Sequence, residues 1–501
     1  MKTKNSIKNS IAAMFSNIVT ILIGFIAQAV FIKILGAEYL GINGLFSNII
    51  SMLGIVELGI GSAIIYNLYK PIEEKNIEVI KSLMDFYKKA YNVIAVIVLI
   101  LGIILIPFLD FFIKEITVDI NIQIVYLLFI IDIVSSYLFS YKRSILYADQ
   151  KNYIINIVHM SYLVILNILQ LLVIYITKNY YIYLTVKIFM RVLENIVITL
   201  IVNKKYQYLT TGKIKKLDSV IEKDIVKKVK ALFFHKIGYF IVLGTDNVII
   251  SKFLGIVTVG LYSNYYLVIN AVQMLFGQAI TAIVPSVGHM LVKCDKQKNF
   301  EVFKKIRFIN FWISTFTAIS ILIIIQPFVK LWIGEKYLLS NIVLYFLVFN
   351  YFQKMMRSSY NIFKEAAGIY YEDRFIPLIE SALNIIFSIL FVKIWGLTGV
   401  ILGTILSDLV LWFYSFPKFV YSNLFKADYL KYTKETIGYI VVFVVIATIT
   451  FFISNLFIVN SNILQIIINV IIAILVPNFM IFILFFKTEN FKYLKSLLMR
   501  R

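Results

Sequence analysis

This 501-residue chain is a succession of long apolar runs, separated by short polar segments that hold most of its charged residues. The runs are about 20 residues or longer, which lets a helix cross a hydrocarbon core of roughly 30 Å. The alternating ten-residue strands that mark an outer-membrane barrel do not occur in the sequence. Because a segment in lipid must satisfy its own backbone hydrogen bonds, the pattern predicts an all-α integral membrane protein.

Breaking the hydropathy pattern at charge clusters predicts fourteen membrane spans. They cover residues 10–32, 40–66, 90–113, 122–141, 154–177, 180–202, 231–251, 258–284, 308–329, 341–362, 375–394, 397–417, 437–458 and 464–486. The connectors between these spans fall into two alternating sets. One set carries only Lys33, Lys114, Lys178, Lys252, Lys330, Lys336 and Lys393. The other set, with the span ends beside it, carries most of the remaining basic residues.

This asymmetry predicts that both termini are cytoplasmic. Heavy use of Ile, Asn and Lys, with only seven Arg, is typical of an AT-rich bacterial genome and indicates a bacterial cytoplasmic membrane. The asymmetry also accounts for a net charge of +22, from 49 Lys and Arg against 27 Asp and Glu. The charge is spread over short segments beside the membrane, where it sets topology and contacts anionic lipid headgroups. We therefore expect membrane lipids, and no nucleic acid, as partners of the basic surface.

Two stretches of the chain are alike, KILGAEYLGINGLFSN from Lys33 and KFLGIVTVGLYSN from Lys252. Gly36 and Gly41 match Gly255 and Gly260 at an offset of 219, and a competing register at 216 stays open for the residues that follow. A repeat of this kind indicates a duplicated module. Each copy is expected to form the outer turn between the first two helices of a module, where Gly permits a tight bend and close helix packing.

The repeat predicts an N-lobe of helices 1–6 (residues 1–202), a basic cytoplasmic linker (203–230) and a C-lobe of helices 7–12 (231–420). Helices 13 and 14 and a basic tail follow (421–501). Because six is even, the lobes should be related by a pseudo-two-fold axis along the membrane normal. In transporters of this kind the substrate site lies between the lobes and opens alternately to each side.

Several stretches resemble Wzx-type oligosaccharide flippases of the multidrug/oligosaccharidyl-lipid/polysaccharide exporter superfamily. They are LGAEYLG, VELGIGSAIIYNLYKP, ILYADQKNYI and LGIVTVGLYSNYYLVINAVQ. The resemblance implies a flippase that moves an undecaprenyl-diphosphate-linked oligosaccharide repeat unit to the outer leaflet during envelope polysaccharide assembly. It also implies that a polysaccharide polymerase and other assembly proteins are partners, and that H⁺ or Na⁺ drives transport.

Basic side chains within or beside spans are the candidate substrate ligands, since charge inside a membrane is costly. They are Lys187, Arg191, His235, Lys236, Lys33 and Lys252. Lys187 and Arg191 are four residues apart on one helical face and could bind a diphosphate, Arg in bidentate fashion. Arg191 could equally pair with Glu194. The other four residues lie near span ends, where snorkelling or anchoring competes with ligand binding.

Acidic side chains in the spans are the candidate coupling residues. They are Glu57, Asp132, Glu194, Asp246, Glu380 and Asp408. Glu57, Asp132, Asp246 and Asp408 are predicted to be deep enough to bind a coupling proton or Na⁺. Glu57 and Asp246 are preferred, because the resemblance implies that spans one, two, seven and eight line the cleft. This excess of acids keeps a cation-coupled multidrug or small-solute exporter as the alternative function.

Enzyme functions are disfavoured. The three His residues form no HExxH or similar motif, and the sequence contains no phosphate-binding GxxxxGK[ST] loop. A membrane glycan polymerase or acyltransferase is a remote alternative, because the outer connectors are too short for a catalytic loop. We therefore predict a transporter without a catalytic residue, a metal site or an organic cofactor.

Overall fold

The computed structural model is built of helices and turns, and the residues it describes include no β-strand. It describes residues 2–57, 60–114, 116–281, 283–369 and 372–498, and within these it leaves out the side chains of residues 2–7, 10, 11, 62, 228, 230–243, 278–281, 285 and 494–498. Packing divides the chain into two compact units, Met1–Gly260 (unit 1) and Leu261–Arg501 (unit 2). The helical secondary structure of these residues confirms the predicted all-helical fold.

The described residues of unit 1 form ten α-helices. They are α1 (Lys2–Ile34), α2 (Ala37–Leu53), α3 (Ile60–Glu73), α4 (Ile77–Leu105), α5 (Leu109–Phe112), α6 (Ile122–Leu138), α7 (Tyr141–Ala148), α8 (Asn152–Thr177), α9 (Tyr180–Lys205) and α10 (Ser219–Leu254). Short 3₁₀ turns cover Gly54–Glu57, Ile106–Phe108 and Gln207–Leu209.

Unit 2 begins within α11, and its described part forms eight α-helices and one π-helix. They are α11 (Ile256–Thr281), α12 (Val284–Lys293), α13 (Lys296–Trp332), α14 (Asn341–Ala367), α15 (Ile376–Ser407), the π-helix Leu411–Leu424, α16 (Tyr429–Leu456), α17 (Asn462–Phe485) and α18 (Glu489–Leu498). A 3₁₀ turn covers Glu335–Tyr337.

Eight of the described helical segments are long and apolar enough to cross a membrane, or nine if the bent pair α6 and α7 forms one span. The predicted count of fourteen is therefore not confirmed. One of the eight, Ile376–Leu424, contains a break at Gly396, where the backbone adopts φ 55° and ψ −132°. Ser388 on one side of this break donates a hydrogen bond to the Val400 carbonyl on the other at 3.3 Å, so the chain reverses there as a helical hairpin. The sequence places a span boundary at the same position.

The two repeat copies adopt the same backbone conformation. Gly36 has φ 94° and Gly255 has φ 91°, values that L-residues with a Cβ rarely adopt. A Cβ on Gly41 would lie 1.9 Å from the Ile256 carbonyl oxygen, and a Cβ on Gly260 would lie 2.1 Å from that of Ala37. The expected tight bend and close helix packing are both confirmed, and they support the 219-residue register for this stretch.

Two of the helices that carry the candidate site in unit 1, α6 and α9, begin at asparagine caps. The Asn121 side chain accepts hydrogen bonds from two backbone N–H groups at the start of α6, at 3.0 and 3.1 Å. Asn179 does the same for α9, at 2.9 and 3.2 Å. Such caps satisfy N–H groups that have no partner within the helix. Helix α9 then packs along both α6 and α8, which brings the polar side chains of these three helices together.

The predicted linker between the lobes is tied to α4 over part of its length. Ser82 Oγ donates to the Lys215 carbonyl at 2.7 Å, and the Lys81 amine donates to that of Thr211 at 2.5 Å. At the start of this segment Tyr206 donates to Asp149 Oδ2 at 2.6 Å. Burial raises the pKa of Tyr206, and its hydrogen bond to Asp149 raises it further. The phenol therefore remains a hydrogen-bond donor across the physiological pH range.

A fully buried arginine connects three helices of unit 2. Arg307 of α13 is 1% exposed and donates to Tyr421 Oη at 2.5 Å, Glu435 Oε2 at 2.7 Å and Thr436 Oγ1 at 3.0 Å. Its guanidinium also lies 4.9 Å from the centre of the Tyr439 ring. These contacts join α13 to the π-helix and to α16, and the aromatic rings screen the buried charge.

We expect Arg307→Met to destabilise the protein by about 3 kcal/mol. Breaking a buried ion pair costs roughly 3–5 kcal/mol, and the lower end applies because 31% of the Glu435 side chain is exposed and can be hydrated. Thermal unfolding of the purified protein in detergent would measure the loss. Lys298→Gln, at an exposed position of the same helix, is the matched control and should change stability by less than about 0.5 kcal/mol. Equal stability of the two variants would contradict a structural role for Arg307.

Candidate functional site

An ionic cluster lies among four helices of unit 1. We call it the unit 1 charge cluster, and it consists of Asp132 (α6), Arg143 (α7), His159 (α8), and Lys187, Arg191 and Glu194 (α9). Ionisable groups in apolar helices are costly unless they pair with one another or with a ligand. The cluster is therefore the candidate binding site of unit 1.

Helical spacing places three members of the cluster on one face of α9. Arg191 follows Lys187 by four residues and precedes Glu194 by three, so their side chains project to the same side. On α6, Asp132 accepts from both cations: Lys187 Nζ lies 3.0 Å from Oδ2, and Arg191 Nε lies 3.4 Å from Oδ1. Arg191 also stacks 5.0 Å from the centre of the Tyr162 ring. Asp132 thus holds the two basic side chains together.

Glu194 is the buried centre of the cluster. Its side chain is 0% exposed, and Oε1 lies 3.1 Å from Arg143 Nη2 and 2.9 Å from His159 Nδ1. The other carboxylate oxygen lies 3.3 Å from Arg191 Nη1. Arg143 is further fixed by Asn195, whose Oδ1 accepts from Nη2 at 2.9 Å. One carboxylate therefore orients side chains from three different helices.

The cations of the cluster remain accessible while the acids are covered. Lys187 is 28% exposed, Arg191 21% and Arg143 23%, against 13% for Asp132 and 0% for Glu194. Three cations and two carboxylates leave one net positive charge, and a protonated His159 would add another. Preorganised, half-buried guanidinium and ammonium groups are well suited to a phosphate or another anion.

A family model of polysaccharide biosynthesis proteins matches residues 6–291, which include the whole charge cluster. This chain belongs to the polysaccharide biosynthesis protein family. The match covers more than half of the sequence and confirms the resemblance to polysaccharide exporters. A comparison with curated protein sequences finds no match for this polysaccharide biosynthesis protein.

Solved structures show which fold the polysaccharide biosynthesis protein has. It is similar to the lipid II flippase MurJ in an inward closed conformation, with a TM-score of 0.67 at 16% identity, covering 96% of this chain and 99% of that one. It is also similar to a multidrug resistance MATE family transporter of the MOP superfamily, with a TM-score of 0.61 at 15% identity, covering 78% and 91%. The Vibrio cholerae MATE transporter VcmN gives 0.57 at 15% identity, covering 84% and 99%. At these identities the likeness establishes the fold.

Of the six basic residues predicted to bind substrate, the structure brings two together, Lys187 and Arg191. Arg191 does pair with Glu194, as the sequence allowed, and with Asp132 as well. Lys33 is exposed at the end of α1. The His235 and Lys236 side chains lie outside the described residues. Substrate binding by any of these residues stays a prediction.

Lys252, the repeat counterpart of Lys33, lies at the end of α10. Its amine is 4.2 Å from the centre of the Phe111 ring, within cation–π distance. For Lys252 the sequence left two alternatives open, anchoring of the helix end and ligand binding. This cation–π contact is compatible with anchoring. It links α10 to the short helix α5, because Phe111 belongs to α5.

The preferred coupling residue Glu57 lies in the 3₁₀ turn that follows α2. Tyr91 of α4 donates a hydrogen bond to its Oε1. Two further tyrosine rings pack edge-to-face against Tyr91, with ring centres at 4.9 Å for Tyr87 and 6.0 Å for Tyr137. Coupling by Glu57 stays a prediction.

The other predicted coupling residues have different surroundings. Asp132 belongs to the unit 1 charge cluster, and Asp246 is half-buried on α10. Asp408 of unit 2 is 1% exposed and accepts from Arg357 Nη1 at 2.8 Å. Glu380, which the sequence placed near a span end, is buried as well and accepts from the same nitrogen at 3.2 Å. Coupling by any of these residues stays a prediction.

Sequence reasoning missed three residues of these clusters. Arg143 seemed to lie in a connector, because the apolar run of the fourth span ends at about residue 141, yet α7 continues after a 47° bend. His159 belongs to no motif in the sequence, and only packing of α8 on α9 brings it to Glu194. Arg357 lies inside the predicted span 341–362, and its charge there was the available signal.

Proposed function

We propose that this protein is a flippase for an undecaprenyl-diphosphate-linked oligosaccharide repeat unit in the bacterial cytoplasmic membrane. It moves the headgroup from the cytoplasmic to the outer leaflet by alternating access, driven by a cation, during envelope polysaccharide assembly. Both termini are cytoplasmic in this proposal, and a polysaccharide polymerase receives the product. Family membership and the MurJ-like fold support a lipid-linked sugar as the cargo.

The observation that carries the proposal is the unit 1 charge cluster. Its accessible groups are cations, its acids are covered, and its net charge is positive. A diphosphate linkage is an anion whose oxygens accept several hydrogen bonds, and Arg and Lys are its usual partners in proteins. Arg143, Lys187 and Arg191 would replace the water around the diphosphate as it leaves the cytoplasmic leaflet.

The acidic residues give less support to an organic-cation exporter than their number suggests. Asp132, Glu194, Glu380 and Asp408 all lie in ion pairs with Lys or Arg in the part of the chain that the structure describes. A carboxylate already neutralised by arginine is a weaker site for an organic cation. The multidrug alternative therefore rests on the fold and on the two remaining acids, Glu57 and Asp246.

Reconstitution into liposomes tests the proposal. A fluorescent undecaprenyl-diphosphate oligosaccharide placed in both leaflets should become fully accessible to a membrane-impermeant quencher only in vesicles that contain the protein. A phospholipid with the same fluorophore is the control and should remain half protected. Export of an organic cation without any movement of the lipid-linked sugar would contradict the flippase and favour a multidrug exporter.

A further inference from the structure

Two carboxyl groups and one guanidinium form a second cluster, in unit 2. Arg357 Nη1 of α14 donates to Glu380 Oε1 at 3.2 Å and to Asp408 Oδ1 at 2.8 Å. Only 9% of the Glu380 side chain and 1% of the Asp408 side chain are exposed. Both oxygens contact the same nitrogen, which brings the two carboxyl groups together.

The second oxygen of Asp408 has no hydrogen-bond donor among the described residues. A buried carboxylate oxygen without a donor is costly, and a like charge beside it adds to the cost. A proton held between Asp408 and Glu380 removes both penalties, because it supplies the missing donor and neutralises one carboxylate. Paired carboxyl groups commonly share one proton for this reason.

We call Arg357, Glu380 and Asp408 the triad. It contains one positive group and two carboxyl groups, and the charged residues around it form ion pairs elsewhere or lie further away. On α14, Lys364 pairs with buried Asp373, whose other oxygen accepts from Ser415 of the π-helix at 2.9 Å. Lys354 and Lys364 of α14 also act on Glu380 electrostatically from further away, and no ion pair joins either of them to it among the described residues. On α13, the buried guanidinium of Arg307 is held by Glu435. One guanidinium therefore faces two carboxyl groups.

We propose that Arg357, Glu380 and Asp408 form a proton-binding site whose single proton is shared by the two carboxyl groups. The ligand is a proton rather than a metal ion, because the guanidinium already occupies the place beside the two carboxylates that a metal cation would take. The proposal rests on the flippase function only for its role in transport. Binding of the proton can be tested without a substrate.

The position of the site shows what the proton would control. Glu380 and Asp408 lie on opposite arms of the α15 hairpin, since residues 384 and 404 and residues 388 and 400 face each other along it. Arg357 therefore fastens both arms to α14. Loss of the proton makes both contacts ionic and tightens this link, whereas protonation weakens one of them. The π-helix begins three residues after Asp408, and π-helical segments are common at functional positions.

Infrared difference spectroscopy of the purified protein tests proton binding directly. The wild type should show a protonated-carboxyl C=O band that is lost at high pH, and Glu380→Gln and Asp408→Asn should each remove it. Asp373→Asn is the matched control, because Asp373 is equally buried but has both Lys364 and Ser415 as partners, and it should keep the band. A wild type without the band at any pH, or a band unchanged in both variants, would overturn the site.

A second measurement separates this proposal from the flippase function. In proteoliposomes, a gradient of one pH unit should raise net flipping by up to about tenfold over the rate without a gradient. Glu380→Gln should lose this stimulation, so that its rates with and without the gradient are the same. A Na⁺ gradient that drives flipping equally well in wild type and variant would overturn the proposed proton coupling. Absence of all flipping, with the infrared band intact, would contradict the flippase and leave the proton site standing.

Discussion

Replacing Arg191 by Gln is expected to lower the flipping rate of the lipid-linked oligosaccharide by about 100-fold. A hydrogen bond to a charged group is worth roughly 1.5–3 kcal/mol, and the upper end of that range corresponds to this factor. Arg191 sits between the acids of the unit 1 charge cluster, 3.4 Å from Asp132 and 3.3 Å from Glu194. Gln keeps part of the side chain's length but loses the charge and the planar fork. The quenching assay in liposomes measures the rate.

The same substitution also leaves Glu194 with one partner fewer, so a structural effect must be separated from a loss of substrate binding. Combining Arg191→Gln with Glu194→Gln removes both charges and should restore thermal stability. If Arg191 binds the diphosphate, transport by the double variant stays low. Recovery of transport together with stability would show that Arg191 serves only to neutralise Glu194. Lys204→Gln, at an exposed position near the end of α9, is the control and should transport normally.

The main features of the fold could be predicted from the sequence, because lipid demands long apolar helices. The break near residue 395 is an example, since a short polar interruption with Gly396 separates two apolar runs and the chain reverses there. The number of spans is harder to predict. Helices α9 and α14 are absent from the eight segments that are long and apolar enough, and they carry charges at Lys187, Arg191 and Arg357. Charged residues of a candidate site lower the hydropathy of a helix, so they make it harder to recognise as a span.

The pairing of charges could not be predicted, because it depends on which helix faces which are in contact. Spacing along α9 correctly placed Lys187, Arg191 and Glu194 on one face. It could not show that Asp132, from a helix more than fifty residues earlier, lies opposite them. Conversely, Glu57 looked deep from the sequence, and its partner Tyr91 is one of 33 tyrosines with nothing in its sequence context to mark it. The spacing of residues along a helix shows which side chains share a face, whereas the packing of helices decides which charged residues pair.

Gly41→Ala and Gly260→Ala are each expected to destabilise the protein by about 3 kcal/mol or more, near the upper end for overpacking a close contact. The new methyl group would lie 1.9 Å from the Ile256 carbonyl oxygen in the first case and 2.1 Å from the Ala37 carbonyl oxygen in the second. Both obstacles are backbone atoms at the start of a helix, which cannot rotate away as a side chain can. Thermal unfolding and the yield of monodisperse protein would measure the effect.

Two other glycines separate this packing effect from a general effect of glycine substitution. Gly438→Ala, within α16, meets no atom within 4 Å and should be neutral or stabilising by up to about 1 kcal/mol. Gly36→Ala also meets no atom, but its φ of 94° should cost about 1–2 kcal/mol through backbone strain alone. The expected order of stability is therefore Gly438→Ala, then Gly36→Ala, then the two packing variants. If Gly41→Ala were as stable as Gly438→Ala, the two copies of the repeat would not be in contact at these glycines, and the 219-residue register would lose its structural support.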